Sequence, residues 1–331
     1  MISKKLMRLI LRGLLLFLSG FLLQDCSHQK TGNPRIVYVN SYHRGHPSSD
    51  EIMDAIAGEF QADSFELVTY IMDTKRNPSQ DYIERKAAEI YDSIRAIVPD
   101  VVIVSDDDAV KYLIQNYFTE TGIPVVFCGV NWSAKEYKLQ SVRATGMLEI
   151  LPLAEVLLAI KPLYPTAKRM LVLNENTTTS RKEKLILDTL FTRLEISVEH
   201  ELVNDFENWK KHFQEGNNKF DLIYIPTHGA IKGWDKDEAE KFVFENILVP
   251  VVTCEDFMMP YAVLGITKVA KEQGIWAAKT AKAILKGKNP SEIPVTRNHE
   301  SKIWLNSRLG EKINFQPDQE LLSKAIILNG M

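Results

Sequence analysis

The sequence predicts an α/β protein with two lobes, each built around a mainly parallel β-sheet. Short apolar runs rich in β-branched residues alternate with amphipathic helical patterns along most of the chain, an order that is typical of βαβ units. Six of these runs end at clusters of polar residues, three in each half of the chain. Because ligands of open α/β sheets bind beyond the carboxyl ends of the strands, the two series predict polar edges that face each other across a cleft.

Length and composition agree with two globular lobes. The chain has 331 residues, which suits two lobes of about 130–150 residues each. Hydrophobic residues make up 45% and charged residues 25% of the sequence, as in ordinary globular proteins. The formal net charge is −3, and no stretch combines basic and aromatic residues. We therefore expect no nucleic acid among the partners of this protein.

The first 26 residues have the layout of a secretory signal. Four basic side chains lie within residues 4–12, an apolar core covers residues 13–23, and Gln24 and Asp25 end it. This core is short for a membrane span, although an uncleaved N-terminal anchor is the alternative. Cys26 follows directly and predicts a lipoprotein signal, in which Cys26 is lipidated and becomes the new N-terminus. The protein is then exported to the periplasm or the outer face of a membrane.

The exported part contains the cysteines Cys128 and Cys254. They end corresponding predicted strands in opposite lobes, where a disulfide would lock the cleft. We therefore predict two separate buried thiols. No cysteine spacing typical of a metal site is present.

The first lobe is predicted from residues 34–147 together with about 262–292. Its first helix is expected after Pro47, because Ser48 and Glu51 have capping-box spacing. Residues 145–149 are interpreted as a segment that crosses to the other lobe. The predicted strands are residues 35–40, 65–71, 100–104 and 124–127, and the further helices are residues 81–97 and 109–118.

The second lobe is predicted from residues 148–261 together with about 293–331. Ser180 and Glu183 repeat the capping-box spacing at the same place in the series, which favours a pseudo-repeat. The helix over residues 271–285 has no place in this lobe and is expected to return to the first, giving several hinge strands. The other predicted helices are residues 153–163, 206–213 and 236–244, and the strands are residues 169–173, 197–203, 220–225 and 250–252.

Candidate ligand-binding residues follow from the ends of the predicted strands. The first lobe supplies Ser41, Tyr42, Ser105, Asp106, Asp107, Asn131 and Trp132. The second lobe supplies Asn174, Thr177, Thr178, Thr227, His228, Glu255 and Asp256.

The chemistry of these residues suits a zwitterion such as an amino acid. Helix N-termini after Ser48 and Thr179 would attract a carboxylate. The acids at positions 106–108 and 255–256 would hold an ammonium group, and Tyr42 and Trp132 would cover an apolar side chain. The alternatives are helix capping for the three aspartates, loop packing for Tyr42 and Trp132, and bracing of the hinge for residues 255–256.

No metal, cofactor or catalytic activity is expected. His43, His46 and Asp50 invite a metal interpretation, but Gly45 and Pro47 make this segment a loop rather than a helix that presents ligands. The sequence contains no nucleophile elbow, phosphate-binding loop, dinucleotide fingerprint or zinc-protease motif, so an enzyme is not favoured.

Three groups of residues resemble a known family. Over about residues 34–320 the chain is similar to ABC transporter substrate-binding proteins of the "uncharacterised ABC transport system" type. The resemblance is carried by Val39-Asn40-Ser41-Tyr42-His43, by residues 146–149 with the helical pattern up to Pro165, and by a closing pattern of Lys286-Gly287, Ile293-Pro294-Val295, Asn306, Leu309-Gly310 and Ile313.

This resemblance implies the type I periplasmic-binding fold, with two Rossmann-like lobes that hinge and close on a small molecule. Relatives bind aromatic amino acids, and related domains are sensory modules of signalling proteins. The Ser41-Tyr42-His43 start resembles the sensor-associated branch more closely. We therefore expect a solute-binding protein that delivers a small polar ligand to an ABC permease, with a sensor for a separate membrane kinase as the alternative.

Overall fold

The computed structural model describes residues 32–61 and 64–329 of the chain. The predictions for residues 1–26, including lipidation of Cys26, lie outside this part. Within it, none of the helices has the length and apolar character needed to cross a membrane.

The first lobe contains a six-stranded sheet in the order β11-β5-β4-β3-β1-β2, in which every pairing is parallel. Three of the four inner strands, β1, β3 and β4, are almost wholly buried, as continuous apolar runs in a sheet covered on both faces should be. The strands are β1 (Arg35–Asn40), β2 (Glu66–Ile71), β3 (Val101–Ser105), β4 (Val125–Asn131), β5 (Ala144–Glu149) and β11 (Thr296–Arg297).

The second lobe contains a seven-stranded sheet in the order β13-β12-β10-β9-β8-β6-β7. Its one antiparallel pairing joins β10 and β12. The strands are β6 (Arg169–Glu175), β7 (Ser197–Val203), β8 (Leu222–Tyr224), β9 (Val251–Thr253), β10 (Leu264–Lys268), β12 (Ser301–Asn306) and β13 (Ile326–Leu328).

Helices cover both sheets. Those of the first lobe are α1 (Pro47–Phe60), α2 (Gln80–Ile97) and α3, which runs through Asp106–Asp108, a π-helical Ala109–Ile114 and Gln115–Tyr117. Those packed with the second sheet include α4 (Leu153–Ile160), α5 (Thr178–Arg193), α6 (Phe206–Lys219) and α7 (Lys236–Asn246). Helix α8 (Ala270–Leu285) shares an apolar cluster with α1 and the first sheet, which confirms the predicted return. Two short helices, α9 (Ser307–Lys312) and α10 (Gln319–Lys324), lie near the C-terminus.

Two regions differ from the sequence-based division. Residues 145–149 form strand β5 of the first sheet rather than a crossing segment, and β10 belongs to the second sheet rather than to the first lobe. Strand β11 pairs with β5 in the first sheet, although the second lobe was expected from residue 293. The chain passes between the sheets after β5, after β10 and between β11 and β12. These three passages form the hinge.

Neither capping box forms. The N-cap of α1 is His46, without a side-chain cap, and Ser48 lies inside the helix. The N-cap of α5 is Thr177, whose side chain accepts a hydrogen bond from the N–H of Ser180. Spacing alone misplaced both helix starts by one to three residues, because a cap depends on where the preceding strand ends.

Cys128 and Cys254 are separate, fully buried thiols, as predicted.

Candidate ligand-binding cleft between the lobes

A cavity lies where the carboxyl ends of the two sheets meet. Its empty volume, counted out to the solvent at its mouth, is about 530 Å³. Polar residues of the first lobe in its wall are Tyr42, His46, Ser48, Lys75, Asp106, Asn131 and Glu149. Those of the second lobe are Thr179, Ser180, Glu183, Thr227, Glu255 and Lys268. Both lobes therefore contribute side chains to the wall of one site.

A buried ion pair crosses the cleft between Lys75 and Glu175. Lys75 follows β2 in the first lobe and Glu175 ends β6 in the second, and their side chains are 5% and 0% exposed. The ammonium group of Lys75 also lies 4.6 Å from the ring centre of Tyr42, a cation–π contact. The second carboxylate oxygen of Glu175 accepts a hydrogen bond from the N–H of Ala230 at 2.6 Å. Each charged group of this pair thus has a further contact besides its ion-pair partner.

A second ionic group lies at the hinge end of the cavity. Nζ of Lys268, at the end of β10, is 2.5 Å from Oε1 of Glu149 in the first lobe and 2.9 Å from Oε1 of Glu255 in the second. Ser48 of the first lobe donates a hydrogen bond to the other oxygen of Glu255 at 3.0 Å. One ammonium group therefore serves two carboxylates from opposite lobes.

Asp107 organises a third set of contacts between the lobes. Its carboxylate accepts hydrogen bonds from Asn131 at 3.1 Å and Tyr137 at 2.6 Å within the first lobe. From the second lobe it receives Nζ of Lys182 at 2.7 Å and the hydroxyl of Thr179 at 3.4 Å. Asp107 is fully buried and acts here as an anchor for helix α5.

Asp106 turns from the strand end into the cavity with a left-handed backbone, φ = 69°. Such a conformation is strained for a residue with a side chain and is common at functional sites. The neighbouring Gly129 leaves room for it, since a Cβ at that glycine would lie 3.1 Å from Oδ1 of Asp106. The other oxygen, Oδ2, is buried and has no hydrogen-bond partner among the described residues.

Burial raises the pKa of several carboxyl groups in the wall. It raises the pKa of Asp106 well above its usual value, and the charge of Glu149 adds to the effect. Burial also raises the pKa of Glu183 to about 8 and that of Glu255 to about 7. Burial alone would lower the pKa of Lys268, but the two flanking carboxylates outweigh it, so this pKa is raised. The site is rich in carboxyl groups that hold protons near neutral pH.

Five of the fourteen candidate residues line the cavity, and these are Tyr42, Asp106, Asn131, Thr227 and Glu255. The three aspartates after β3 provide no side-chain cap to α3. Asp106 faces the cavity, Asp107 bridges the lobes, and the side chains of Thr74 and Thr178 lie next to Asp108.

Several other candidates brace the wall from behind. The hydroxyl of Ser41 donates to the carbonyl of Ser105 at 2.6 Å and accepts from the N–H of Ala109 at 2.9 Å. Ser105 shares a hydrogen bond with Tyr38. Asn174 contacts Glu183 weakly at 3.4 Å. These contacts fix the strand ends rather than face the cavity.

The remaining candidates point elsewhere. Trp132 packs against the apolar cluster of the second lobe. His228 stacks on Trp234, with ring centres 4.5 Å apart, and with Asp256 it lines a separate open groove.

Four charged residues of the cavity were missed by sequence reasoning: Glu183, which lies inside helix α5, and three that follow or end strands. Lys75 follows β2, a predicted strand whose end supplied no candidate residue. Glu149 and Lys268 end β5 and β10, which were not recognised as strands of these sheets. The strand-end rule would have found all three, had every strand been assigned.

The segment around His43 and His46 forms an aromatic contact in the cleft wall. The ring of His46 lies 5.1 Å from that of Tyr42 and 5.7 Å from that of Phe257 across the cleft. Burial lowers the pKa of His46 well below its usual value, so the ring is neutral at pH 7. Across residues 32–61 and 64–329, no three His, Cys, Asp or Glu side chains come together as metal ligands.

Two hinged lobes that share a polar cavity define a protein of the periplasmic-binding class. Residues 43–327 match the family model described as ABC transporter substrate binding protein. The chain belongs to this family of solute-binding proteins.

Solved structures share the fold at low sequence identity. An ABC domain from Streptococcus pneumonia, in complex with L-Trp, is 18% identical with a TM-score of 0.69, and the match covers 89% of this chain and 99% of that one. A conserved domain protein from Vibrio cholerae is 16% identical with a TM-score of 0.71, covering 89% and 99%. A ligand-free, open substrate binding protein with adhesive properties from Clostridium difficile is 15% identical with a TM-score of 0.64, covering 90% and 100%. No curated protein sequence matches this chain.

Proposed function

We propose that this protein is the extracytoplasmic substrate-binding protein of an ABC importer and captures a small polar ligand by closure of the two lobes. The observation that carries this proposal is the shared cavity, whose wall is closed by charge pairs between the lobes: Lys75 with Glu175 and Lys268 with Glu149. A ligand seated there touches both lobes at once. Such a ligand shifts the hinge equilibrium toward the closed form, because it makes its full set of contacts only in that form.

An amino acid, including one with an aromatic side chain, is the first ligand class to test. Tyr42 supplies an aromatic surface and Asp106 a carboxylate for an ammonium group. The first turn of α5 reaches the cavity through Thr179 and Ser180, and helix N-termini favour carboxylates. The structural relative with bound L-Trp supports the same class.

Binding rather than catalysis fits the chemistry of the wall. The hydroxyl of Ser48 already donates to Glu255, and Ser41 is committed to backbone groups. His46, the histidine in the cavity wall, has no hydrogen-bond partner on either ring nitrogen among the described residues. Among the described residues of the wall, no serine hydroxyl is therefore hydrogen-bonded to a histidine, the usual base of a nucleophilic serine.

The partner in transport would be a membrane permease, which reads the closed form. The alternative function is a ligand sensor that presents the same closed form to a separate membrane kinase. Neighbouring genes distinguish the two, since permease and ATPase genes indicate transport whereas a histidine-kinase gene indicates sensing. Co-purification of the closed protein with the encoded membrane partner provides the biochemical test.

Export with a lipid on Cys26 completes the proposal. Intact-mass analysis of the protein from host membranes should find a chain that begins at residue 26 and carries a lipid. A free Cys26 thiol, or cleavage at another residue, would refute the lipid anchor without affecting the binding function.

The binding function is tested by native mass spectrometry of the mature protein, followed by thermal-shift screening with amino acids, amines, sugars, nucleosides and small anions. A ligand at a hundredfold excess over Kd should stabilise the protein by about 2.7 kcal/mol. The proposal fails if no class binds and the purified protein instead turns over a panel of esters or phosphoesters.

A further inference from the structure

We propose that the cleft selects a cationic amine, that is, a ligand with an ammonium group and no carboxylate. This inference rests on the proposed binding function and puts an amine in place of the amino acid as the preferred ligand. It follows from the charges in the cavity wall, from the commitment of the lysines, and from buried carboxylate oxygens without partners.

The cavity wall carries more acid than base. Four carboxyl groups line it, from Asp106, Glu149, Glu183 and Glu255, against the two ammonium groups of Lys75 and Lys268. No arginine lines the cavity among the residues that the structure describes. Asp106 and Glu183 have no ion-pair partner among the described residues, so a ligand cation would stabilise their ionised forms, which burial otherwise disfavours.

Both lysines are already paired with carboxylates. Lys75 binds Glu175, and Lys268 lies between Glu149 and Glu255. Each lysine side chain is less than a tenth exposed, so water does not compete with the carboxylate partners for its ammonium group. A ligand carboxylate would have to share an ammonium group with a buried carboxylate that is already paired with it.

Two buried carboxylate oxygens of the cavity wall lack a hydrogen-bond donor among the described residues. Oδ2 of Asp106 and Oε2 of Glu149 have no hydrogen-bond partner among the described residues. These two residues are only 6% and 3% exposed, and both line the cavity. Buried polar atoms are normally satisfied. An ammonium group offers three donors for such oxygens.

The N-terminus of α5 does not reverse this preference. A helix end is equivalent to roughly half a positive charge, which is less than the full charge of one ionised carboxylate. In addition, the N–H of Ser180 is capped by Thr177, and the hydroxyl of Thr179 contacts Asp107 and Tyr42. The N–H of Ser180 is therefore already satisfied within the protein.

The rest of the wall suits a hydrocarbon body. Ile52, Leu151 and Pro226 line the cavity beside the ring of Tyr42. An amine with an aromatic or aliphatic body would bury its apolar surface there while its ammonium group meets Asp106.

The protons held by these carboxyl groups predict that amine binding depends on pH. Burial raises the pKa of Glu183 to about 8 and that of Glu255 to about 7, and raises that of Asp106. A bound cation stabilises the ionised carboxylates and lowers these pKa values. Amine binding should therefore release protons, and the affinity should rise as the pH increases through 7 to 8.

The test uses matched probes that differ only in charge. One set is tyramine, L-tyrosine and 3-(4-hydroxyphenyl)propionate, and the other is tryptamine, L-tryptophan and indole-3-propionate. Titration calorimetry in two buffers of different ionisation enthalpy measures affinity and proton release together. We expect the amine of at least one set to bind tenfold or more tighter than its zwitterion, with proton release, and the anions not to bind.

Substitutions in the cavity wall test which carboxyl groups cause the preference for an amine. Asp106→Asn and Glu149→Gln should each weaken amine binding at least tenfold, whereas Asp92→Asn, an exposed position on α2, should leave it unchanged. Melting temperatures of all three verify that they fold. If one of the two cavity variants does not fold, the other still tests the proposal.

The outcomes separate the inference from the proposed function. Tighter binding of a zwitterion, an anion or a neutral sugar overturns the cationic preference and leaves the binding function intact. Unchanged amine affinity in the folded cavity variants also overturns it. If no compound of any charge class binds, the proposed function fails and the inference fails with it.

Discussion

Nζ of Lys268 lies 2.5 Å from Oε1 of Glu149, and this contact joins the last residue of β10 in the second lobe to the last residue of β5 in the first. Both side chains are less than a tenth exposed. The chain leaves β10 directly for α8, which packs on the first lobe. The ion pair therefore sits beside a hinge passage and fixes the lobes relative to each other at that point.

Substitution of Lys268 by Met should destabilise the protein strongly. It would leave Glu149 and Glu255 buried together without their cation, and breaking such a buried group typically costs about 3–5 kcal/mol. Urea unfolding at pH 7.5 measures the loss. Lys279→Met, at an exposed position of α8, is the control and should change stability by less than about 0.5 kcal/mol. Equal stability of the two variants would contradict this role for Lys268.

Loss of Lys75 should open the cleft. In the Lys75→Met variant, Glu175 is left as a buried carboxylate without its cation, and it regains water when the lobes separate. Small-angle X-ray scattering should therefore give a larger radius of gyration than for the unaltered protein. The double variant Lys75→Met, Glu175→Gln removes both charges and should return toward the closed value. If the single variant stays as closed as the double variant, the pair does not govern closure.

Glu183 should make the protein less stable as the pH rises. Burial raises its pKa from the ordinary 4.5 to about 8 in the folded state, so between these pH values the folded chain holds a proton that the unfolded chain has released. The free energy of unfolding then falls with increasing pH, by up to about 1.4 kcal/mol per pH unit. Below pH 4.5 the carboxyl is protonated in both states, and above pH 8 it is ionised in both, so the slope vanishes at either end.

The variant Glu183→Gln isolates this contribution. It keeps the shape of the side chain without the titrating proton, so its stability relative to the unaltered protein should increase between pH 5 and 8. Chemical unfolding at four pH values in this window provides the measurement. A difference that is constant with pH would show that Glu183 is ionised in the folded protein.

Gly274 allows the returning helix α8 to pack closely on α1. A Cβ at this position would lie 2.4 Å from the backbone oxygen of Ile52, and backbone atoms cannot swing aside. Gly274→Ala should therefore cost about 1–3 kcal/mol through overpacking. Gly58 on α1 is exposed, with nothing within 4 Å of a built Cβ. Gly58→Ala should instead stabilise the protein by about 0.5–1 kcal/mol through helix propensity, and opposite signs in thermal unfolding are the expected result.

The sequence alone was sufficient to predict the class of fold and most of its helices and strands. The strand patterns at residues 35–40 and 197–203 match β1 and β7, and the periodicity of residues 271–285 matches α8 with one residue added. Alternation of apolar residues is a local property, set by which face of an element is buried. It can therefore be read without knowing what the element packs against.

Only the tertiary structure decided which charges meet in the cleft. Strand β10 joins the second sheet through β9 and β12, and this pairing brings Lys268 to Glu149. Likewise, Lys75 and Glu175 are 100 residues apart in sequence, and only closure of the lobes makes them a pair. Local patterns carry no information about such contacts, because the energy that selects them comes from long-range strand pairing and from burial of charges between the lobes.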